Sequence, residues 1–319
     1  MAKSAQDRRV YTPSTSGAVR DRRPGHSSHR TVRGVDRPHH PLAATPPPRP
    51  WPPTGGQRFR AGLSGGRSGP AALPRRAPLA AGRPLRVGHL FPRLLSQPVY
   101  NRRLRDAAWL LEAALRWLAD HTPATGELLR LVDGTPVVCG CSRRTATRSG
   151  LAGWAGYGHD SSHHCFYWGA RLLLVCTPEG TVTGFGLANP KLVGEREAVV
   201  GMLRGIPANR PAPGTVLVGD KGFAGHDFHA ALADLELALV RPARADEPQG
   251  GVFPNWLRQR IEAIIWTLKH QLGLDRPGGR IPAGLWARVV QRLLALNAAI
   301  WFNWQIGAPI KRSLIAYDH

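Results

Sequence analysis

From about Val87 onward, apolar and polar positions fall into regular spacings that predict alternating helices and strands. Residues 101–119 place Leu104, Ala108, Leu111, Leu115 and Leu118 at helical intervals with charged residues between them, the pattern of an amphipathic helix. LLRLVDGTPVV (128–138) reads as a short apolar strand that ends at an acid and a Gly-Thr-Pro turn. ARLLLVCT (170–177) and TVTGFGLA (181–188) read as two more strands, joined as a hairpin through Pro178, Glu179 and Gly180. A helix over 195–204 precedes a fourth strand, TVLVGD (215–220), which also ends at an acid. A helical pattern over 225–235 leads to a fifth strand, LELALVRP (235–242), and helices over 256–272 and 285–304 complete the chain. The order is that of an α/β protein with a mixed five-stranded sheet flanked by helices.

Upstream of this region neither the 3.6 nor the 2 period is present. Residues 1–85 hold 16 Lys or Arg, three acids and 14 of the 29 prolines, in runs such as PPPRPWPP (46–53). Proline at that density removes backbone donors and breaks helices, so the segment is expected to be disordered. Three readings fit it: a basic arm that grips phosphates, a solvated tail, or an out-of-frame translation of a GC-rich gene, which would favour Arg, Pro, Ala and Gly. The resulting division is 1–85, an Arg/Pro-rich segment; 86–125, a helical lead-in; 126–306, the α/β domain; and 307–319, a tail.

Charge narrows the class. Lys and Arg total 43 against 21 Asp and Glu, a formal net charge of +22, which makes nucleic acid the first expected partner. The four cysteines, at 139, 141, 165 and 176, all lie mid-chain and fit a reducing compartment better than a secreted disulfide framework. The most apolar stretch, about 293–304, is shorter than the roughly 20 residues of a membrane span, and Lys3, Arg8 and Arg9 precede no apolar run of a secretory signal. A bacterial cytoplasmic, nucleoid-associated protein without a membrane partner is expected.

Two strand-ending acids carry the candidate chemistry. Ligands in α/β sheets bind at the carboxyl ends of strands, which is where Asp133 and Asp220 fall. A third acid, Glu262, lies on the helix whose Ile261, Ile264, Ile265 and Leu268 are expected to pack on the sheet. Three carboxylates around one point need a cation, and an oxygen-only set suits Mg²⁺ or Mn²⁺. Two such ions would activate an attacking hydroxyl and stabilise the leaving oxygen of a phosphodiester. Taken singly, an Asp before Gly equally forms a turn, and a helical Glu is ordinarily a solvated charge.

The local sequence around these acids is more specific. VGDKGF (218–223) and the spacing Asn255-x2-Arg258-x3-Glu262-x6-Lys269 resemble the second-Asp and Glu signatures of bacterial insertion-sequence transposases of the DDE class. The succession LVDGTPV (131–137), GDKGF and RIEAIIWTLKHQLGLDR is similar to the insertion-sequence-982 type within the wider insertion-sequence-4-like group, over about Arg86 to Ile306. The resemblance implies a ribonuclease-H-like fold with Asp133, Asp220 and Glu262 as a catalytic triad that binds two Mg²⁺ or Mn²⁺ ions. It also implies strand cleavage at element ends, strand transfer into target DNA, and a homodimer on double-stranded DNA. In two respects the chain departs from that family: Asn255 stands where a Tyr often opens the signature, and residues 1–85 lack the family's helical front end. An inactive DNA-binding remnant is therefore the alternative, and a general Mg²⁺ nuclease a third.

Secondary signals have bland competitors. Arg258 and Lys269 fall four before and seven after Glu262, nearly one helix face, where they would contact the DNA backbone or pair with Glu262. Lys221 is a similar phosphate candidate. Between 139 and 168, read as a loop, Arg143, Arg144, Arg148, Trp154, Tyr157, Tyr167 and Trp168 form a basic and aromatic mixture suited to stacking on splayed bases. Cys139, Cys141, His159, His163, His164 and Cys165 lack the paired spacing of a structural zinc site. Cys176, inside an apolar strand, is expected in the core, as are Trp256, Trp266, Trp286, Trp301 and Trp304, which recur at helical positions.

Overall fold

The computed structural model describes residues 10–11, 95–140, 142–160, 164–248 and 253–309. Most of the Arg/Pro-rich segment lies outside these residues; from it only Val10–Tyr11 is described, and it forms a two-residue strand, β1, antiparallel to β5 (Val182–Ala188). The helix expected over 101–119 is two helices, α1 (Gln97–Asp106) and α2 (Ala108–Asp120), broken at Ala107.

The sheet is built around β2 (Leu129–Gly140). One neighbour is β4 (Cys165–Cys176), antiparallel to it and hairpin-paired with β5; the other is β6 (Val216–Val218), parallel to it and followed by the parallel β7 (Ala238–Val240). The order β5-β4-β2-β6-β7, with an antiparallel half and a parallel half meeting at the first long strand, is the ribonuclease-H-like arrangement. Helix α4 (Glu195–Gly205) carries the chain from β5 to β6, and α5 (His226–Ala233) carries it from β6 to β7. At the hairpin turn Gly180 takes φ +112°, a conformation side chains resist.

Two expectations are corrected here. β2 does not stop at Asp133: it continues through Gly-Thr-Pro to Gly140, because β4 pairs with it along that whole length. Its pairing with β6 ends at Leu131, so Pro136 sits where β2 has a neighbour on one side only, and a missing N–H is tolerated at such an edge. Nor are residues 139–168 a loop. They contain α3 (Arg143–Arg148), capped by Ser142 whose Oγ accepts from Thr145 N at 3.1 Å, and β3 (Gly156–Asp160), which pairs with the outer half of β4.

Period-2 alternation in the strands sorts the core into two layers. Leu131, Val137, Leu172, Leu174 and Val218 face α6 (Asn255–Trp266) and α7 (Pro282–Gln305), whereas Val132, Leu173, Val175 and Leu217 face α4 and α5. Ile261, Ile264 and Leu268 bury against the first layer and Ile265 partly so, as the helical pattern required. Cys176 lies in that core, and Trp286 stacks on Phe185 with ring centroids 5.3 Å apart. Trp256, Trp266 and Trp304, however, are exposed, because they fall on the outward faces of α6 and α7. Buried Asn297 on α7 ties three elements: its amide donates to the Val182 and Leu115 carbonyls, and its Oδ1 accepts from Val182 N at 2.8 Å.

Candidate active site

Parallel pairing brings two of the sequence-predicted acids together. The β2–β6 register matches Leu129 to Val216 and Leu131 to Val218, so Asp133 and Asp220 each stand two residues beyond the last matched pair, at the same end. Asp133 Oδ1 accepts from Gly134 N at 2.7 Å, and Asp220 Oδ1 accepts from Gly222 N at 2.8 Å. The second bond makes Asp220 the cap of the short helical turn Lys221–Phe223. Phe223 is buried under this turn and anchors it to the core.

Asp133 is half-buried, and its carboxyl is pushed up to about 8, first by burial, then by the Glu195 carboxylate and more weakly by Asp220 and Glu262. A carboxyl surrounded by carboxylates is a poor anion by itself, so a cation at this point would relieve the repulsion.

Glu195 was not among the sequence candidates. It opens α4, where Glu195 and Glu197 read as ordinary first-turn acids that favour a helix N-terminus. In the structure its carboxylate lies over Gly134: a Cβ at that glycine would fall 2.0 Å from Glu195 Oε1. Its own carboxyl is raised by burial, with the Arg171 guanidinium opposing the shift and Asp220 adding to it. Arg171 Nε stands 3.9 Å from Glu195 Oε1. Arg196 Nη1 donates to the Ala224 carbonyl, tying the first turn of α4 to the loop that follows Asp220.

Glu262 lies on α6, and its field reaches Asp133, but its carboxylate is turned to Arg258, with Nε–Oε1 at 2.9 Å and both side chains about half exposed. Arg258 thus pairs with Glu262 within the helix, one of the two partners its spacing allowed. Lys269 is half-buried and lies in a π-helical turn, Thr267–Gln271, that follows α6 and shifts the phase on which the shared helix face was predicted. Among the described residues no three His, Cys, Asp or Glu side chains are drawn into a ready metal cage. Glu195, Asp220 and Glu262, the acids whose charges reach Asp133, would nonetheless offer carboxylate oxygens, the chemistry that suits Mg²⁺ or Mn²⁺.

Of the basic candidates, Lys221 is exposed directly after Asp220, and its carbonyl accepts from Arg244 Nε at 3.4 Å. Arg244 belongs to a loop held by Glu247, which accepts from both Nη atoms of Arg241 at 2.7 and 2.8 Å and from Arg244 N at 3.0 Å. This fork holds the Glu247 carboxyl down at about 2. Arg143 and Arg144 are exposed on α3, beyond the Gly140 end of β2. Of the proposed stacking aromatics, Tyr157 is exposed but Tyr167 and Trp168 are buried, a correction to their reading as base contacts. Tyr167 lies across Gly158, where a Cβ would come within 2.6 Å, and Trp168 packs with Leu151 and Ala155. Cys141 and His163 of the sulfur and imidazole group lie outside the described residues.

The mixed sheet thus places Asp133 and Asp220 at the end of its central parallel pair, where α/β sheets bind ligands. A family model described as the transposase DDE domain matches residues 124–250, which contain Asp133, Glu195 and Asp220 and stop short of Glu262. That match supports a DDE-type transposase. No curated protein matches the chain. Among solved structures, the chain is similar to the catalytic core domain of BIV integrase at 12% identity and TM-score 0.32, covering 57% of this chain and 98% of that one. It is similar to the Mos1 strand transfer complex at 12% identity and TM-score 0.25 (69% and 66% covered). A pre-cleavage Mos1 transpososome is similar at 10% identity and TM-score 0.23 (69% and 68% covered). Strand order and register by themselves give the ribonuclease-H-like arrangement.

Proposed function

We propose that this chain is a transposase of the insertion-sequence-982 type that cleaves DNA strands at the ends of an insertion sequence and joins the freed 3′-hydroxyl to target DNA. The observation that carries this reading is the shared position of Asp133 and Asp220 beyond the β2–β6 register, inside the segment matched as a transposase DDE domain. Asp133, Asp220 and Glu262 would hold Mg²⁺ or Mn²⁺, two ions in all, with Glu262 leaving Arg258 to do so. When bound, such ions supply Lewis-acid activation of the attacking hydroxyl and stabilise the leaving oxygen. Lys221, Arg258, Lys269, Arg143 and Arg144 would contact the phosphate backbone of the element ends, and a rotation of Glu262 away from Arg258 would free that guanidinium for a phosphate. Residues 126–306 would form the catalytic domain and 86–125 its lead-in, acting as a homodimer on double-stranded DNA in the nucleoid. No helix among the described residues is long and apolar enough to cross a membrane.

The test is cleavage of a labelled duplex carrying the DNA that flanks this gene, in Mg²⁺ or Mn²⁺ against EDTA, by the wild type beside Asp133→Asn, Asp220→Asn and Glu262→Gln. Metal-dependent cuts at the element's ends that vanish in all three variants, with DNA binding retained, are the expected result. Salt-sensitive binding without any cut would leave a DNA-binding remnant, and cutting without preference for an end would leave a general nuclease.

A further inference from the structure

Resting on that reading of the site, we infer that Glu195 is a fourth carboxylate of the metal site, a ligand that joins Asp133 and Asp220 from the opposite face of the sheet.

Several independent contacts aim it there. Alternation along β2 sends Asp133 toward the α6 layer and its neighbour Gly134 toward the α4 layer. Any side chain at 134 would occupy the place of the Glu195 carboxylate, 2.0 Å from Oε1, so the missing Cβ is the cradle in which that carboxylate rests. The Arg171 side chain forms the other wall of the cradle, with Cδ 3.2 Å from the same Cβ position and Nε 3.9 Å from Oε1. The Arg196 bond to the Ala224 carbonyl then ties the first turn of α4 to the loop that follows Asp220, which sets the backbone of Glu195 beside that acid. Glu262, by contrast, reaches the site from an exposed helix face and is engaged by Arg258. Glu195 is therefore the better-positioned companion of Asp133, and the motif Asp133-Gly134 gains a second meaning: the aspartate donates oxygen on one face, and the glycine admits a glutamate on the other.

The bland alternative is that Glu195 merely neutralises Arg171. The two are separated by Mn²⁺ binding to the DNA-free full-length chain, followed by electron paramagnetic resonance of free Mn²⁺, for the wild type, Glu195→Gln, Glu195→Asp and Asp133→Asn, with melting temperatures recorded without metal. The amide of Glu195→Gln keeps the shape while weakening the oxygen donor; Glu195→Asp keeps the charge but withdraws it by one methylene. If Glu195 is a ligand, both Glu195 variants weaken Mn²⁺ binding by at least the roughly tenfold that even outer-shell partners of metals cost, alongside a loss in Asp133→Asn. Loss in Asp133→Asn with wild-type affinity in both Glu195 variants would overturn this inference and leave the site standing. Loss in the Glu195 variants with Asp133→Asn unchanged would also overturn it, by placing the ion elsewhere. No Mn²⁺ binding to the wild type, or none lost in any variant, would overturn the reading of the site and the inference with it.

Discussion

Asp133 and Asp220 occupy matching positions on neighbouring parallel strands, each two residues past the last paired residues, Leu131 and Val218. Their 87-residue separation in sequence is closed by backbone register alone. Because a one-residue slip in a strand would turn its side chains to the opposite face, the site depends on that register being held by the apolar residues that precede the acids. Leu217 and Val218 on β6 and Leu131 and Val132 on β2 are buried in the two layers and supply it.

Gly134→Ala is expected to impair cleavage far more than folding. The added methyl meets the end of a flexible side chain, Glu195, rather than backbone, so the loss of stability should stay at or below the roughly 1–3 kcal/mol of an overpacked site. Displacing that carboxylate by about an ångström should lower strand cleavage on the order of 100-fold. Urea unfolding and single-turnover cleavage of the same preparation check both; an unchanged cleavage rate would show that the position of Glu195 is immaterial.

Arg258 and Glu262 form an exposed i,i+4 pair, worth about 0.3–0.5 kcal/mol. Arg258→Gln should therefore barely move the melting temperature. If Arg258 turns to a phosphate in the complex, the same variant lowers the slope of log affinity against log salt by about 1. Fluorescence anisotropy on an end-sequence duplex at several salt concentrations measures that slope, and a slope equal to that of the wild type would confine Arg258 to its pair with Glu262.

Asn297→Ala should be among the more damaging single changes outside the site. It leaves the buried Val182 N–H without its partner and removes the amide's bonds to the Val182 and Leu115 carbonyls, at about 1–3 kcal/mol for a buried group left unsatisfied. Equilibrium urea unfolding should show a lower midpoint. A loss below about 1 kcal/mol would mean that water replaces the amide.

Glu247 carries a pH dependence. Its carboxyl is held down at about 2 by Arg241, below the unfolded value of about 4.3. A depressed acid contributes stability above its unfolded pKa and loses it as pH falls through the folded one. The difference in melting temperature between the wild type and Glu247→Gln should be constant above about pH 5 and shrink between about pH 4 and 2. A difference independent of pH would mean that the Arg241 fork does not hold in solution. Because Arg244 reaches the Lys221 carbonyl from this loop, the clamp also bears on the segment next to Asp220.

Local patterns carried the reading of the elements and of the candidate acids. The period of apolar residues located the long strands and helices, the charge pointed to nucleic acid, and Asp133, Asp220 and Glu262 stood out through the short runs around them, since those signals depend only on neighbours in the chain. Where local pattern failed, a distant partner decided. β2 passes through Gly-Thr-Pro because β4 pairs alongside it; β3 exists because the outer half of β4 needs a neighbour; and Tyr167 and Trp168 are buried by packing that period-2 spacing alone does not reveal. Glu195 shows the limit most clearly. On the chain it is one of two acids at the start of a helix, a commonplace of helix N-termini, and only the crossing of α4 over β2 sets it on the glycine beside Asp133. Proximity between residues 61 positions apart is a property of strand order and crossover, and no spacing along the sequence encodes it.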